Sequence, residues 1–186
     1  RDQELVEGNL ELARSVSRAA KAARVGPRLV YANSIQAGNQ TPYGTGKQAA
    51  AQELARTADE VGSTFVDVRL PNVFGEHGRP NYNSFVATFA DAVIQGKQPT
   101  VDDRSIRLLH AQSAAQALID ALDADAGVIE PTGTAATVVG IWERLQEFQA
   151  AYGERGEIPA LSNSFEVDLF NTYRAGLAER QAALRL

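Results

Sequence analysis

Tyr43 and Lys47 stand four residues apart at the start of a segment that reads as helix, and that spacing puts both side chains on one face. A free tyrosine ionises at about pH 10 and is a poor proton donor or acceptor at neutral pH. A neighbouring ammonium favours a phenolate, and the positive end of a helix acts in the same direction. Ser34 closes the preceding apolar run, where its hydroxyl can address the same substrate oxygen. Tyrosine, lysine and serine together can move a proton on an alcohol or ketone while a nicotinamide moves a hydride. A tyrosine–lysine pair also occurs by chance on many helix surfaces, so the chemistry depends on the elements around it.

Those elements alternate. Residues 3–24 have helical apolar spacing, and Gly26-Pro27 stops them. Residues 29–32 read as a buried strand, 38–42 as a loop whose Pro42 suits a helix start, and 43–60 as an alanine-rich helix. Residues 65–70 read as a second strand and Pro71 to Pro80 as loop. Helices are expected at 83–96, 112–123, 137–152 and 164–180, with a short strand at 127–130. Such alternation predicts an α/β fold with parallel strands joined by right-handed crossovers.

Only two or three good strands are legible, against about six in a doubly wound Rossmann sheet. The expectation is therefore the C-terminal portion of such a sheet plus a small substrate-binding region. Residues 1–80 would be the second half of a dinucleotide-binding domain. Residues 81–186 would be mainly substrate-binding, with some segments returning to the core. No G-x-G-x-x-G is present, and a P-loop fails because Gln48 follows Gly46-Lys47. The sequence begins at Arg1 and contains no methionine. Further residues, with a first strand and a glycine-rich turn, are expected before Arg1.

The 186 residues suffice for one ordinary core, and 44% hydrophobic with 22% charged residues is a globular mix. The absence of cysteine excludes disulfides and thiolate metal sites. With two histidines, His77 and His110, no metal site is expected. A net charge of −5 argues against nucleic-acid binding. No apolar run approaches the ~18 residues of a membrane span, and no signal peptide is legible. The expected location is cytoplasmic. His110, after Leu108-Leu109 at an expected strand end, reads as a satisfied structural histidine, and Trp142 reads as core or rim packing.

The order strand, Ser34, loop, Pro42-Tyr43, Lys47, strand resembles the extended short-chain dehydrogenase/reductase superfamily, the NAD-dependent epimerase/dehydratase family. The segment Arg69-Leu70-Pro71-Asn72-Val73-Phe74-Gly75 is similar to that superfamily's R-x-x-N-V-[FY]-G. A narrower likeness lies in Ser34-Ile35-Gln36-Ala37, in Pro80-Asn81-Tyr82-Asn83-Ser84 followed by Val86-Ala87-Thr88-Phe89, and in Leu169-Phe170-Asn171-Thr172-Tyr173. These pieces resemble capsular-polysaccharide enzymes that reduce a 4-keto UDP-sugar.

The resemblance implies Ser34, Tyr43 and Lys47 as catalytic residues, with NAD or NADP as cofactor. Tyr43, Lys47, Pro71 and Val73 would face the cofactor, Lys47 through the nicotinamide ribose. Asn72, Arg79, Asn81 and Asn83 would face a nucleotide-sugar, with an arginine able to clamp phosphate bidentately. Turn formation or helix capping is the plain alternative for Asn81 and Asn83. Dehydratases of the superfamily carry Asp-Glu where this chain has Ile35 and Gln36, which disfavours dehydration. The superfamily's V-D-D is here Ala111-Gln112-Ser113, and its upstream arginine aligns near Ile106, beside Arg107. The expected activity is reduction of a keto nucleotide-sugar with Tyr43 as proton donor. A 4-epimerase and a non-catalytic dinucleotide-binding sensor or scaffold are the alternatives. Relatives pair two helices corresponding to 3–24 and 43–60 across a two-fold axis, so a homodimer is expected.

Overall fold

A computed structural model of the protein describes residues 2–23 and 26–183. In chain order the elements are α1 (Asp2–Ala22), β1 (Leu29–Ser34), α2 (Pro42–Val61), β2 (Phe65–Leu70), β3 (Asn72–Phe74), α3 (Phe85–Ile94), β4 (Ser105–His110), α4 (Ala111–Asp120), β5 (Gly127–Ile129), β6 (Thr134–Thr137), α5 (Val138–Phe148), a π-helical turn (Gln149–Glu154) and α6 (Ser164–Ala183). Residue 24, the expected end of the first helix, lies outside the described residues. The chain forms two compact units, Arg1–Pro71 with Ala114–Pro131, and Asn72–Ser113 with Thr132–Leu186.

The first unit is a parallel sheet in the order β1-β2-β5 with helices on both faces. The register runs from Leu29 opposite Phe65 to Ser34 opposite Leu70. Strand alternation then sorts the side chains. Leu29, Tyr31 and Phe65 pack against Ala13 of α1 and Ala50 and Leu54 of α2. Val66 and Val68, both fully buried, pack with Val30, Leu70 and Ile129 against Ala117, Leu118 and Ala121 on the other face. The two helices of the first face are locked by Thr57, whose hydroxyl donates to Ser17 Oγ at 2.8 Å and lies buried between them. Helix α2 starts where Pro42 predicts, with Thr41 as N-cap accepting from the Gly44 N–H. It ends at Gly62, whose φ of 66° suits a residue without Cβ.

The second unit holds β3 parallel to β4 and β6 antiparallel to β4. Its core is Phe74, Val86, Phe89, Leu108, Ile141, Leu145, Phe148, Leu169 and Tyr173 with their neighbours. Three sequence expectations change here. The described residues form six strands instead of two or three, and β3 lies inside the stretch expected as loop. The pairing is not all parallel, because β6 runs against β4. The helix expected over 137–152 is α-helical only to Phe148 and then widens into the π-helical turn. At the widening the Tyr173 hydroxyl donates to Gln149 Oε1 at 2.8 Å and would lie 2.7 Å from a Cβ at Gly153. Trp142 packs as expected, edge-on to Phe89 with centroids 5.3 Å apart. Among the described residues no helix is long and apolar enough to cross a membrane, and no cluster of His, Cys, Asp or Glu suits a metal ion.

Burial pushes the phenols of Tyr31 and Tyr173 up to about 12, from an ordinary 10.0. A group whose folded pKa is raised adds stability that is complete below the unfolded pKa and is lost as pH climbs to the folded one. The unfolding free energy is therefore expected to fall between pH 10 and about 12. Urea titrations across that window check this. Tyr173→Phe should flatten the fall, at a cost of about 1 kcal/mol near neutrality for the lost hydrogen bond.

Candidate active site

Strand β1 delivers Ser34 to its C-terminal end, and the loop that follows is tied tightly to the first turn of α2. The Ala37 N–H donates to Ser34 O at 2.9 Å, the Asn39 N–H to Gln36 O at 3.0 Å, and the Gly38 N–H to Gly44 O at 3.1 Å. Asn39 Oδ1 accepts from both the N–H and the hydroxyl of Thr41. A Cβ at Gly44 would collide with Asn39 Oδ1 and the Gln36 carbonyl, so the turn carrying Tyr43 can close this far only on glycine. The residue reading missed this role of Gly44. Its signal was a glycine between the tyrosine and the lysine, in a helix turn where glycine costs about 1 kcal/mol against alanine.

Tyr43 is exposed at 37%, and Lys47 is half-buried one turn later. Lys47 Nζ lies 5.0 Å from the Tyr31 ring centroid and 6.0 Å from that of Tyr43. Because the Leu29 N–H donates to Thr64 O and the Ile35 N–H to Leu70 O, odd-numbered residues of β1 bond to β2 and even ones face the other edge. Lys47 Nζ donates to the Ala32 carbonyl on that other edge, at 3.3 Å. Burial holds the Lys47 ammonium below the usual lysine range, and the Asp67 carboxylate acts the opposite way. Ser34 Oγ accepts from the Gln36 N–H at 3.2 Å, which leaves its own hydrogen to donate.

Next to these groups lies a polar layer that the residue reading did not find. Asn33 and Asp67 are 4% and 3% exposed, and Asn33 Nδ2 donates to Asp67 Oδ1 at 2.8 Å. Arg69 Nε donates to Asp67 Oδ2 at 3.0 Å. Pro71 is buried at the end of this unit.

A cavity of about 280 Å³ is lined by Leu12, Val16, Leu29, Val30, Tyr31 and Lys47 among others. Among the described residues the Lys47 ammonium makes one hydrogen bond, so it keeps donors for vicinal hydroxyls. This donor set fits the ribose end of a nicotinamide dinucleotide.

The second unit carries the other expected site residues. Asn72 and Val73 lie on β3, and Asn72 Nδ2 donates to Arg107 O at 3.2 Å. Arg79, Asn81 and Asn83 are exposed on the loop after it. Arg79 lies over the Tyr82 ring at 5.7 Å and makes no ion pair among the described residues. Asn81 takes a turn conformation with φ 57°, and its N–H donates to Thr88 Oγ1. The cap of α3 is Ser84, not Asn83. His110 ends β4, buried, with Nε2 2.9 Å from Glu76 Oε2 and its ring edge-on to Phe74, a satisfied structural position.

Gly44→Ala should push the first turn of α2 away from residues 36–39 and cost about 1–3 kcal/mol, as overpacking does. Thermal unfolding of the variant checks this. A melting temperature equal to that of the parent would contradict the close approach.

The chain is 33% identical over 123 residues to a UDP-2-acetamido-2,6-beta-L-arabino-hexul-4-ose reductase of Pseudomonas aeruginosa, a match covering 65% of this chain and 33% of that protein. The capsular polysaccharide assembling protein CapF of Staphylococcus aureus superposes with a TM-score of 0.72 at 29% identity, covering 83% of this chain and 45% of that one. This chain thus spans less than half the length of either relative. A UDP-N-acetylglucosamine 4-epimerase of Methanobrevibacter ruminantium shares the fold, with a TM-score of 0.76 at 18% identity over 92% of this chain and 69% of that one. The model of the NAD dependent epimerase/dehydratase family matches residues 1–132, most of the sequence, and the chain belongs to that family.

Proposed function

We propose that this chain carries the proton-transfer machinery of a reductase that acts on the keto group of a nucleotide-sugar, UDP-linked, with NADH or NADPH. The observation that supports this reading best is the Lys47 ammonium, half-buried and set against Tyr31 and Tyr43 at the C-terminal end of a parallel strand. Reduction is favoured over epimerisation because the relative at 33% identity is a hexul-4-ose reductase by name.

The dinucleotide, when bound, supplies the hydride to the carbonyl carbon. The Tyr43 hydroxyl gives its proton to the carbonyl oxygen, so C=O becomes CH–OH and a phenolate remains. Lys47 stabilises that phenolate by charge and offers its spare donors to the ribose hydroxyls. Ser34, whose oxygen is already held by the Gln36 N–H, orients the substrate oxygen with its own hydrogen. By the resemblance, Pro71 and Val73 would be cofactor-facing residues, Asn72 would offer its amide to a phosphate or sugar oxygen, and Arg79, Asn81 and Asn83 would face the nucleotide-sugar. Ile35 and Gln36 stand where a dehydratase needs an acid and a base, and neither side chain can serve as one.

Tyr43→Phe removes only the phenolic oxygen from an exposed side chain. The rate of cofactor oxidation with a UDP-4-keto-6-deoxy-sugar should fall by about 10²–10⁴-fold, with cofactor affinity little changed. Lys47→Ala should weaken both. An epimerase would lose activity equally but consume no net cofactor, and a sensor would turn over nothing. Unchanged turnover in Tyr43→Phe would overturn the assignment.

We also propose a homodimer through the outer faces of α1 and α2, where Ala19 and Ala22 are exposed and Ala49 and Ala55 half-buried, small enough for close helix packing. Light scattering at micromolar concentration should give about twice the 20.0 kDa chain mass, and a monomer would count against this contact.

A further inference from the structure

We infer that the second unit carries a binding site for a single uncharged pyranose ring, in a cavity of about 200 Å³ where Trp142 meets the amide of Gln149. The inference is independent of the reading of Tyr43 and Lys47, which lie in the first unit.

The cavity is built by the end of α3, one face of α5 and the π-helical turn that follows it. π-helical turns are rare and recur at functional sites. Here the turn sets one amide. The fully buried Tyr173 donates its hydroxyl to Gln149 Oε1 at 2.8 Å. A Cβ at Gly153 would lie 2.8 Å from Gln149 Nε2, so the amide rests where only glycine leaves room for it. The tyrosine thus fixes the acceptor end of Gln149, and the NH₂ keeps both donors without a partner among the described residues. At the end of α3 the Lys97 N–H donates to Ala92 O at 2.8 Å, which folds the chain back and sets Lys97 and Gln98 at the rim.

The lining selects the ligand. Trp142, half-buried, and Val93, buried, supply apolar surface. Gln98 and Gln146 are exposed beside them, and their amides make no hydrogen bond among the described residues, so each keeps donors and an acceptor. Lys97 and Glu154 give the lining one charge of each sign, and neither forms an ion pair among the described residues. An anion would therefore meet Glu154 and a cation would meet Lys97, which favours a neutral ligand. Drug-sized ligands fill about 300–1,000 Å³, so this volume suits one ring. A pyranose offers an apolar C–H face to an indole and a rim of hydroxyls, each donor and acceptor, to amides. A nucleobase has two flat faces to cover, and this lining holds one aromatic ring.

Trp142 is the chain's one tryptophan, so tryptophan emission from the whole chain reports on this cavity. Emission is followed during titration with methyl α-D-glucopyranoside, methyl α-D-galactopyranoside and N-acetyl-D-glucosamine, with uridine as the nucleoside comparison. At least one pyranose should change it saturably, with half-saturation at about 1–10 mM, as expected of a one-ring ligand. Gln146→Ala, on an exposed helix position, should weaken that binding about five-fold, one net hydrogen bond's worth. Tyr173→Phe releases the Gln149 amide and should weaken it by a similar factor; should that variant not fold, Gln146→Ala decides alone. No saturable change by about 50 mM of any of the three sugars overturns the site. A uridine response as strong as the best sugar, or a folded variant that binds as tightly as the parent, overturns it equally.

Discussion

The parallel register of β1 on β2 decides which face every polar side chain of the first unit occupies. With Ser34 opposite Leu70, the side chains of Tyr31, Asn33, Asp67 and Arg69 all fall beneath α2. A slip of β2 by one residue would turn Asp67 and Arg69 onto Ala117, Leu118 and Ala121 and move Val66 and Val68 beneath α2. The hydrophobic faces therefore hold the polar ones in place. Val66 and Val68 are fully buried on one side, Leu29 and Phe65 pack on the other, and no shifted pairing satisfies both. The crossover through α2 then has one side on which to return, and it brings Tyr43 and Lys47 back over the end of the strand they follow.

Precision at that end comes from the backbone. Gly44 lets the first turn of α2 close on residues 36–39, Thr41 caps it, and Asn39 holds Thr41. A helix start fixed in this way is a rigid base for Tyr43, whose side chain is partly exposed. Lys47 is placed differently, half-buried against aromatic rings and a backbone carbonyl, so its charge meets a lower dielectric than at the surface. Exposure of Tyr43 and partial burial of Lys47 follow from one helix turn.

What the sequence makes legible here is local. Tyr43, Lys47, Pro42 and Ser34 are read from spacing along one helix and from the end of one apolar run, and the elements that carry them lie within two residues of expectation. Strand β3 is three residues between a proline and a glycine, and β6 is Thr-Ala-Ala-Thr, so neither has a periodicity to detect. The Asn33–Asp67 bond joins residues 34 positions apart, and it exists only once two strands are in register. The hydrogen bond from Tyr173 of α6 to Gln149, where α5 widens, likewise joins residues that only the tertiary fold brings together. Asn83 looks like a cap from its type, but the chain geometry gives that place to Ser84.

In the proposed reaction the Tyr43 hydroxyl meets the oxygen that changes between ketone and alcohol. A crystal structure with NAD and a UDP-sugar bound measures that distance directly. The reacting sugar oxygen should lie within about 3.2 Å of Tyr43 Oη, with Lys47 Nζ moved from the Ala32 carbonyl to the ribose hydroxyls. A reacting oxygen held by other side chains, with Tyr43 Oη beyond hydrogen-bond reach and Lys47 still on Ala32, would contradict it.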